Sequence, residues 1–314
     1  MIARPLALAV AATLVFSLGA CASDDDEEVT EASSEIKGSK KPKRFDVITH
    51  NIGGGAENDP GEKGIAYTFS QIDEHRPDVV MLEEVCQAQY ESMKARYPSW
   101  NVLFAPMRAS HPGCAGASAK GQVLASRRAM VEVLREDLGD VDPIGDKHFT
   151  LLCGSVSMPG AQRKVLTCVT HLRAEGNDAA AAEAARGRQV QRIHRLLKDR
   201  IQDGQPVVLA GDFNAGPKRE TLDPLYRLTR DGRMSGGLFD EADQTDPRRA
   251  QFVDQEVSCG PSACRTGEPT TENGSKLDFV FFSHDRVGGQ IGADALARGG
   301  SGHRLYKAWA ELDL

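Results

Sequence analysis

Short apolar and β-branched runs recur along the chain from residue 45 onward, separated by polar and glycine-containing segments. Runs of about four to eight such residues between turn signals are typical of buried β-strands. The pattern predicts nine strands: Phe45–His50, Val79–Glu83, Val102–Phe104, Gln122–Ser126, Phe149–Ser157, Val165–His171, Pro206–Ala210, Leu277–Phe282 and Leu305–Leu312.

Three segments instead carry apolar residues at the spacing of a helix. The predicted helices run from about Ile65 to Glu74, from Ala88 to Arg96 and from Asp178 to Gln202. One face of the last helix is apolar, at Val190, Ile193, Leu197 and Ile201. Arg186, Arg192 and Lys198 are expected to face solvent. Many strands with few helices predict an α/β fold in which packed sheets carry helices on their outer faces.

The N-terminus has the pattern of an export signal. Arg4 precedes an apolar run that ends at Leu18-Gly19-Ala20-Cys21, and this run is short for a membrane span of about 20 residues. The order resembles the lipobox of bacterial lipoproteins. Residues 1–20 are therefore predicted to be a lipoprotein signal peptide, with lipidation at Cys21 and a cell-envelope location, periplasmic or on the outer face. Plain secretion, with a free Cys21, is the alternative.

Residues 21–43 are expected to be a disordered tether, acidic at first and then basic, because they contain almost nothing to bury. Residues 1–35 hold seven acidic side chains against Arg4, which accounts for most of the net charge of −7. The remaining chain is nearly neutral, so its charge argues neither for nor against nucleic acid. Residues 44–314 show no second linker and no internal repeat, which predicts one domain.

Six cysteines follow Cys21, an even number in a chain that is expected to reach an oxidising compartment, so disulfides are expected. Cys153 and Cys168 lie on two runs that could pair as a hairpin. Cys259 and Cys264 would close a small loop, which leaves Cys86 with Cys114. Six cysteines allow many connectivities, so this pairing remains open. No Cys-x-x-Cys pair supports a metal cluster.

Polar side chains cluster where the predicted strands end. The segments are Thr49-His50-Asn51, Leu82-Glu83-Glu84, Thr170-His171-Leu172, Gly211-Asp212-Phe213-Asn214, Leu277-Asp278 and Ser301-Gly302-His303. Groups at strand termini can converge on one rim of the sheets. A carboxylate with nearby amides suits Mg²⁺, which prefers oxygen ligands. Two histidines with acidic partners suit proton transfer around a phosphoryl group.

These segments, in this order, resemble the endonuclease/exonuclease/phosphatase superfamily, which includes DNase I-like nucleases, sphingomyelinases and inositol-phosphate phosphatases. The resemblance spans about residues 45–314. Its most specific pieces are Leu82–Val85, Thr170–Leu172, Gly211–Asn214 and Lys276–Phe281, and weaker support comes from Gly121–Arg127. The resemblance implies a four-layer α/β sandwich, in which two mixed β-sheets pack together between outer helices and the site opens at one edge.

The resemblance also implies a role for each site residue. Glu84 would bind Mg²⁺ (or Mn²⁺), and Asn51 would help to hold both the metal and the substrate phosphate. His303, oriented by Asp278, would take a proton from the attacking water. His171 would donate a hydrogen bond or a proton on the opposite side of the phosphate.

Asp212 is implied as a leaving-group acid or a water-positioning carboxylate, and Asn214 as a phosphate contact. Arg173 would share the face of His171 if that strand continued, where it would meet a phosphate; a surface ion pair is the equal alternative. One position departs from the family, which usually has Ser-Asp-His where this chain has Ser301-Gly302-His303. The missing carboxylate is expected to weaken metal binding or to change the preferred metal, without abolishing activity.

Three functions remain open. A metal-dependent nuclease acting on DNA or RNA is favoured, because nucleases are a common exported use of the family. A phosphodiesterase or phosphatase for phospholipid head groups or inositol phosphates would suit a membrane anchor. A catalytically silent envelope binding protein is motivated only by Gly302. A nuclease predicts a basic rim beside the two site histidines, and the candidates are Lys120, Arg127, Arg128, Arg163, Lys164 and Arg173. No protein partner is implied.

Overall fold

The computed structural model describes residues 41–55, 62–139, 147–227, 236–246, 265 and 267–314. The predicted signal peptide, Cys21, nearly all of the tether and the predicted Cys259–Cys264 pair lie outside these residues. They stay predictions, as do the proposed domain boundaries.

The described residues form twelve strands. They are β1 (Lys43–Asn51), β2 (Val79–Cys86), β3 (Asn101–Arg108), β4 (Lys120–Ser126), β5 (Met130–Asp137), β6 (Thr150–Val156), β7 (Val165–His171), β8 (Val207–Asp212), β9 (Phe239–Glu241), β10 (Asp278–Ser283), β11 (Val287–Ala295) and β12 (Tyr306–Leu312). All nine predicted strands are among them. The three that the sequence did not predict are β5, β9 and β11.

The strands form two six-stranded mixed sheets, with the orders β11-β12-β1-β2-β4-β3 and β5-β6-β7-β8-β10-β9. Strands β1 and β2 run parallel, as do β7 and β8, and the other neighbours are antiparallel. Alternate residues of β1 face two different cores, as the pleat of a strand requires. Phe45 and Val47 lie in the core between the sheets, whereas Ile48 packs toward the outer layer.

Helices cover the outer faces. They are α1 (Glu62–His75), α2 (Gln87–Arg96) and α3 (Ala179–Gln202), whereas the short α4 (Ala242–Thr245) contacts strands of both sheets and places Ala242 in the core between them. Residues of α1 and α2 complete the core outside the first sheet, and the apolar face of α3 completes the core outside the second. This arrangement is the four-layer α/β sandwich of the DNase I-like fold. None of the described helices is long and apolar enough to cross a bilayer.

One expectation about α3 is wrong, because Arg186 is buried and does not face solvent. Its guanidinium donates to the carbonyl of Arg173 at 3.0 Å and to Glu183 at 2.7 Å. A buried guanidinium needs such partners, and here they attach α3 to the segment that follows His171. Helical periodicity and charge do not reveal this buried acceptor, which lies in a separate segment of the chain.

Two predicted disulfides are present. Cys153 and Cys168 are paired residues of neighbouring strands β6 and β7, and their sulfurs are bonded. Cys86 at the end of β2 is bonded to Cys114 in the loop before β4. Both bonds are consistent with an oxidising compartment.

Candidate active site

The register of the second sheet places three predicted site residues side by side. His171 is the last residue of β7 and pairs with Asp212, the last residue of β8; Asp212 in turn pairs with Asp278, the first residue of β10. All three are almost completely buried. A cluster that the sequence spreads over more than a hundred residues is therefore assembled by strand pairing alone.

The first sheet contributes Asn51 and Glu84 from the ends of its two parallel strands. Asn51 pairs with Glu83 across β1 and β2, and Glu84 is the next residue along. Glu84 lies in an irregularity of the β2–β4 pairing and has a positive φ of 58°. A non-glycine residue in this region is held there by its surroundings and often lies at a functional site. The Glu84 carboxylate accepts a hydrogen bond from the Asn51 amide at 3.3 Å.

Asp212 lies at the centre of the site. Its Oδ2 atom accepts a hydrogen bond from the Asn51 amide at 3.0 Å, and it is 3.7 Å from the Nε2 atoms of both His171 and His303. The other oxygen accepts the backbone N–H of Asn214 at 2.9 Å, which fixes the turn after β8. One carboxylate thus faces both histidines and the amide of the opposite sheet.

His303 and Asp278 form a hydrogen-bonded pair. The Nδ1 atom of His303 lies 2.9 and 3.1 Å from the two carboxylate oxygens of Asp278. Burial lowers the pKa of His303, but the charges of Asp278 and Asp212 and the hydrogen bond to Asp278 outweigh burial and raise it to about 10. Asp278 thereby holds Nδ1, and Nε2 is directed into the site.

The loop that carries His303 is fixed by Ser301. The Ser301 hydroxyl donates to the carbonyl of Asn51 at 2.5 Å and accepts the backbone N–H of His303 at 3.1 Å. Behind the loop, His50 is buried and its Nε2 lies 3.3 Å from the carbonyl of His303. Burial lowers the pKa of His50 to about 4, so His50 is a neutral structural residue near neutral pH.

His171 differs from His303 in its charge. Burial, followed by the positive charge of Lys147, lowers the pKa of His171 to about 4. The ring is therefore neutral at neutral pH and can donate one hydrogen bond. The site consequently holds one histidine that favours the protonated form and one that favours the neutral form, which is the pattern of an acid–base site.

Residues 48–297 match the model of the Endonuclease/Exonuclease/phosphatase family. The chain belongs to this family. Members of the family are phosphoester hydrolases that depend on divalent metal ions, which is the chemistry expected from the strand ends. No curated protein matches the chain by sequence.

Solved structures confirm the fold of this endonuclease/exonuclease/phosphatase protein. The human Nocturnin catalytic domain, determined with a bound sulfate anion, is 18% identical with a TM-score of 0.64, covering 86% of this chain and 94% of that one. A Bacteroides vulgatus family protein is 16% identical with a TM-score of 0.62, covering 86% and 99%. A humanized D. rerio TDP2 is 17% identical with a TM-score of 0.55, covering 85% and 98%.

The donors around Glu84 fit the divalent metal of the family. Burial raises the pKa of Glu84, but the nearby His171 and Lys120 lower it to about 2, so the carboxylate is ionised at neutral pH. Its side chain remains 31% exposed, and its Oε1 lies 3.3 Å from the Asn51 amide that also contacts Asp212. Two carboxylates, Glu84 and Asp212, converge here and offer the oxygen ligands that a hard cation such as Mg²⁺ prefers. The Asn51 amide meets them through its N–H donors, and its oxygen accepts the backbone N–H of Gly53 at 3.1 Å.

A second grouping of possible ligands consists of Asp212, Asp278 and His303, whose ligand atoms lie within 4.8 Å of one another. In this grouping the Nδ1 atom of His303 is already used by Asp278. In the metal-free protein the raised pKa of His303 also favours the protonated ring, which would have to lose its Nε2 proton before it could bind a cation. The Glu84 side of the site therefore fits a cation better.

The structure brings together seven of the eight predicted chemical residues. They are Asn51, Glu84, His171, Asp212, Asn214, Asp278 and His303. Arg173 is the exception, because β7 ends at His171 and the described contacts of Arg173 involve its backbone, which binds Gln189 and Arg186. The alternation that would have placed its side chain beside His171 does not extend to it.

Four of the six candidate rim cations lie away from the site histidines. Arg127 and Arg128 contact Asp78, which precedes β2, and Glu84 lies near the other end of that strand. Arg163 and Lys164 precede β7, again opposite its site end. Only Lys120 lies at the site, 2.6 Å from Glu84. Lys147 also lines the site and was not predicted, because it follows no strand end or motif.

Proposed function

We propose that the chain is an exported, metal-dependent phosphodiesterase that cleaves DNA or RNA as an endonuclease. The observation that carries this proposal is the position of Asp212 between two histidines of different charge, 3.7 Å from each, beside the ionised Glu84. Residues that surround one central point from opposite sides suit an in-line displacement at phosphorus, where donors must neutralise charge on both the attacking and the leaving oxygen.

In the proposed reaction, Glu84 and Asn51 hold a divalent cation, with Mg²⁺ or Mn²⁺ as candidates. When bound, the cation neutralises charge on the phosphoryl oxygens. In the metal-free protein His303 favours the protonated form. The positive charge of a bound cation would favour the neutral form, whose Nε2 atom would then take the proton of the attacking water while Asp278 holds the ring in place. Neutral His171 donates to a phosphoryl oxygen or the leaving oxygen. Asp212 orients the water or protonates the leaving group.

Asn214 is proposed to contact the phosphate, and Arg173 to meet a more distant phosphate of a long substrate. The Asn214 side chain is held at 3.0 Å from the carbonyl of Leu172. It opens on a groove of about 720 Å³ whose lining includes Lys218 and Arg219. Cations in a groove that Asn214 also lines support a polyanionic substrate, which favours nucleic acid over a neutral lipid surface.

Location is also part of the proposal. The two disulfides support folding in an oxidising compartment. Lipidation at Cys21 would keep the enzyme on the cell envelope, and plain secretion would release it.

The test is activity of the full chain, purified with its disulfides formed, on plasmid DNA, RNA, sphingomyelin and inositol phosphates, each with Mg²⁺, Mn²⁺ or EDTA. Metal-dependent nicking that is lost in His303→Ala supports the proposal. His194→Ala is the matched control, because His194 lies on α3 away from the strand ends, and it should keep full activity. Turnover of a lipid or inositol phosphate without nicking would support the alternative, and silence on every substrate would support a binding protein.

A further inference from the structure

A small cavity adjoins the catalytic residues on the side of Glu84 and His171. Its volume is about 170 Å³, and its lining includes Glu84, Arg108, Lys120, Lys147 and His171. Clefts that hold a whole drug-sized ligand are larger, roughly 300–1,000 Å³. The cavity therefore suits one small group attached to a substrate rather than a complete nucleoside.

Lys147 places a partly buried ammonium group in the lining of the cavity. Its ammonium lies 4.9 Å from the centre of the Phe149 ring, and burial lowers the pKa of Lys147. Within the part of the chain that the structure describes, no carboxylate lies within 4.0 Å of its Nζ atom. Removing an ammonium from water without a counter-charge in contact costs stability, and the more distant charges of Glu84 and Asp212 do not outweigh the burial of Lys147. A bound anion would supply that counter-charge.

The walls of the cavity are fixed in advance. The backbone N–H of His148 donates to the carbonyl of Met107 at 2.8 Å, which holds the Lys147 segment against the end of β3. On the opposite wall, the disulfide between Cys86 and Cys114 joins the end of β2 to the loop that leads to Lys120. A preformed pocket binds with little ordering cost.

Lys120 lies at the boundary between the cavity and the catalytic residues. Its Nζ atom is 2.6 Å from Glu84, and its side chain is 16% exposed. Glu84 and His171 line the cavity themselves, so a group bound there is a direct neighbour of the phosphate that the catalytic residues would hold.

We propose that this cavity is a second phosphate subsite, which receives the phosphate next to the one that is cleaved in an oligonucleotide. The inference rests on the proposed function, because it takes the reacting phosphate to lie between His171 and His303. Lys147 is a specificity-determining residue in this assignment. Nucleic acid carries a phosphate on each nucleotide, so every internal cleavage site supplies the second group.

The first experiment compares kcat/KM for a thymidine dinucleotide with and without an added terminal phosphate, at either end. One charge-assisted hydrogen bond is worth about tenfold or more, so the wild-type enzyme should prefer one phosphorylated substrate by at least about that factor. In Lys147→Ala, the ratio of kcat/KM for the phosphorylated substrate to kcat/KM for the unphosphorylated one should be close to one. Lys198→Ala is the matched control, since Lys198 is an exposed lysine on α3, and it should keep the wild-type preference.

The second experiment needs no catalysis. Inorganic phosphate is titrated into the metal-free full chain by calorimetry, and Lys147→Ala should weaken binding by about tenfold while Lys198→Ala leaves it unchanged. Equal binding by wild type and Lys147→Ala, or no binding by wild type, would overturn the subsite. Cleavage with no preference for a terminal phosphate would overturn it as well. A complete lack of cleavage combined with Lys147-dependent phosphate binding would instead contradict the proposed function.

Discussion

Replacing Asp278 with asparagine should change how the stability of the metal-free protein depends on pH. The substitution keeps the shape of the side chain but removes the charge that faces the Nδ1 atom of His303 at 2.9 Å. The His303 side chain is only 20% exposed and Asp278 only 1%, so solvent screens their interaction weakly. Without that charge, the pKa of His303 should fall toward its ordinary value.

The magnitude follows from the pKa of His303, which is about 10 in the folded protein against 6.5 for an ordinary histidine. At about 1.4 kcal/mol for each pH unit, the protonated ring stabilises the native state by up to about 5 kcal/mol. The charges of Asp278, Asp212 and Glu84 together raise the pKa of His303, and Asp278 contributes most. We therefore assign about 2–3 kcal/mol of this stabilisation to Asp278. Because the folded-state pKa is raised, the stabilisation is complete below pH 6.5 and is lost as the pH rises toward 10.

The assay is urea unfolding in EDTA at intervals between pH 6 and pH 10. Wild type should be more stable than Asp278→Asn by about 2–3 kcal/mol near pH 6, and the difference should close near pH 10. Asp240→Asn is the matched control, because Asp240 contacts His284 at 2.8 Å where the histidine is 43% exposed. A constant difference between wild type and Asp278→Asn across this range would refute the assignment of the charge to His303.

Three further predictions concern catalysis, the disulfides and the departure at position 302. His303→Ala and Asp212→Ala should each lower turnover, measured as the nicking rate, by at least about a hundredfold. Circular dichroism should show that both variants are folded. Near-normal nicking rates would mean that the active site is elsewhere. Replacing either disulfide pair with serines should lower the free energy of unfolding by about 3 kcal/mol, given closed loops of 28 and 15 residues. Only the loss of Cys86–Cys114 should also lower activity, because this disulfide lies beside Glu84 in the chain. Gly302→Asp should fold normally, since a Cβ there meets no atom within 4 Å. The variant should need less Mg²⁺ for half-maximal activity than wild type. An unchanged Mg²⁺ requirement would mean that position 302 does not face the metal.

The regular parts of the fold could be predicted because burial leaves a clear pattern in the sequence. Strand β7 is buried at every position, and its first five residues are apolar or β-branched. The missed strand β5 is an edge strand with mostly exposed or half-exposed residues, including Glu132 and Arg135. The missed strand β11 contains Gly288 and Gly289, and its pairing with β12 is irregular there. Strands that bury little leave little hydrophobic signal.

The site could be predicted as far as strand ends and family motifs determine it. Asp212 and Asp278 come together because their strands pair, and motif order identifies both strands. The walls of the site depend on loops, whose positions no periodicity encodes. The cations of the predicted rim could therefore not be placed, and Lys147 could not be recognised, because its position depends on a backbone contact with Met107 in a distant segment.

The buried charges argue that Gly302 does not mark a silent protein. Glu83, Asp212 and Asp278 are each at most 1% exposed, and burial together with the charges of Asp278 and Asp212 raises the pKa of Glu83 well above its usual range. Three carboxyl groups in one buried cluster oppose folding. Proteins tolerate such local conflicts mainly at functional sites. The position of His303 depends on Ser301 and Asp278 rather than on a side chain at 302, so the acid–base residues keep their arrangement without the family aspartate.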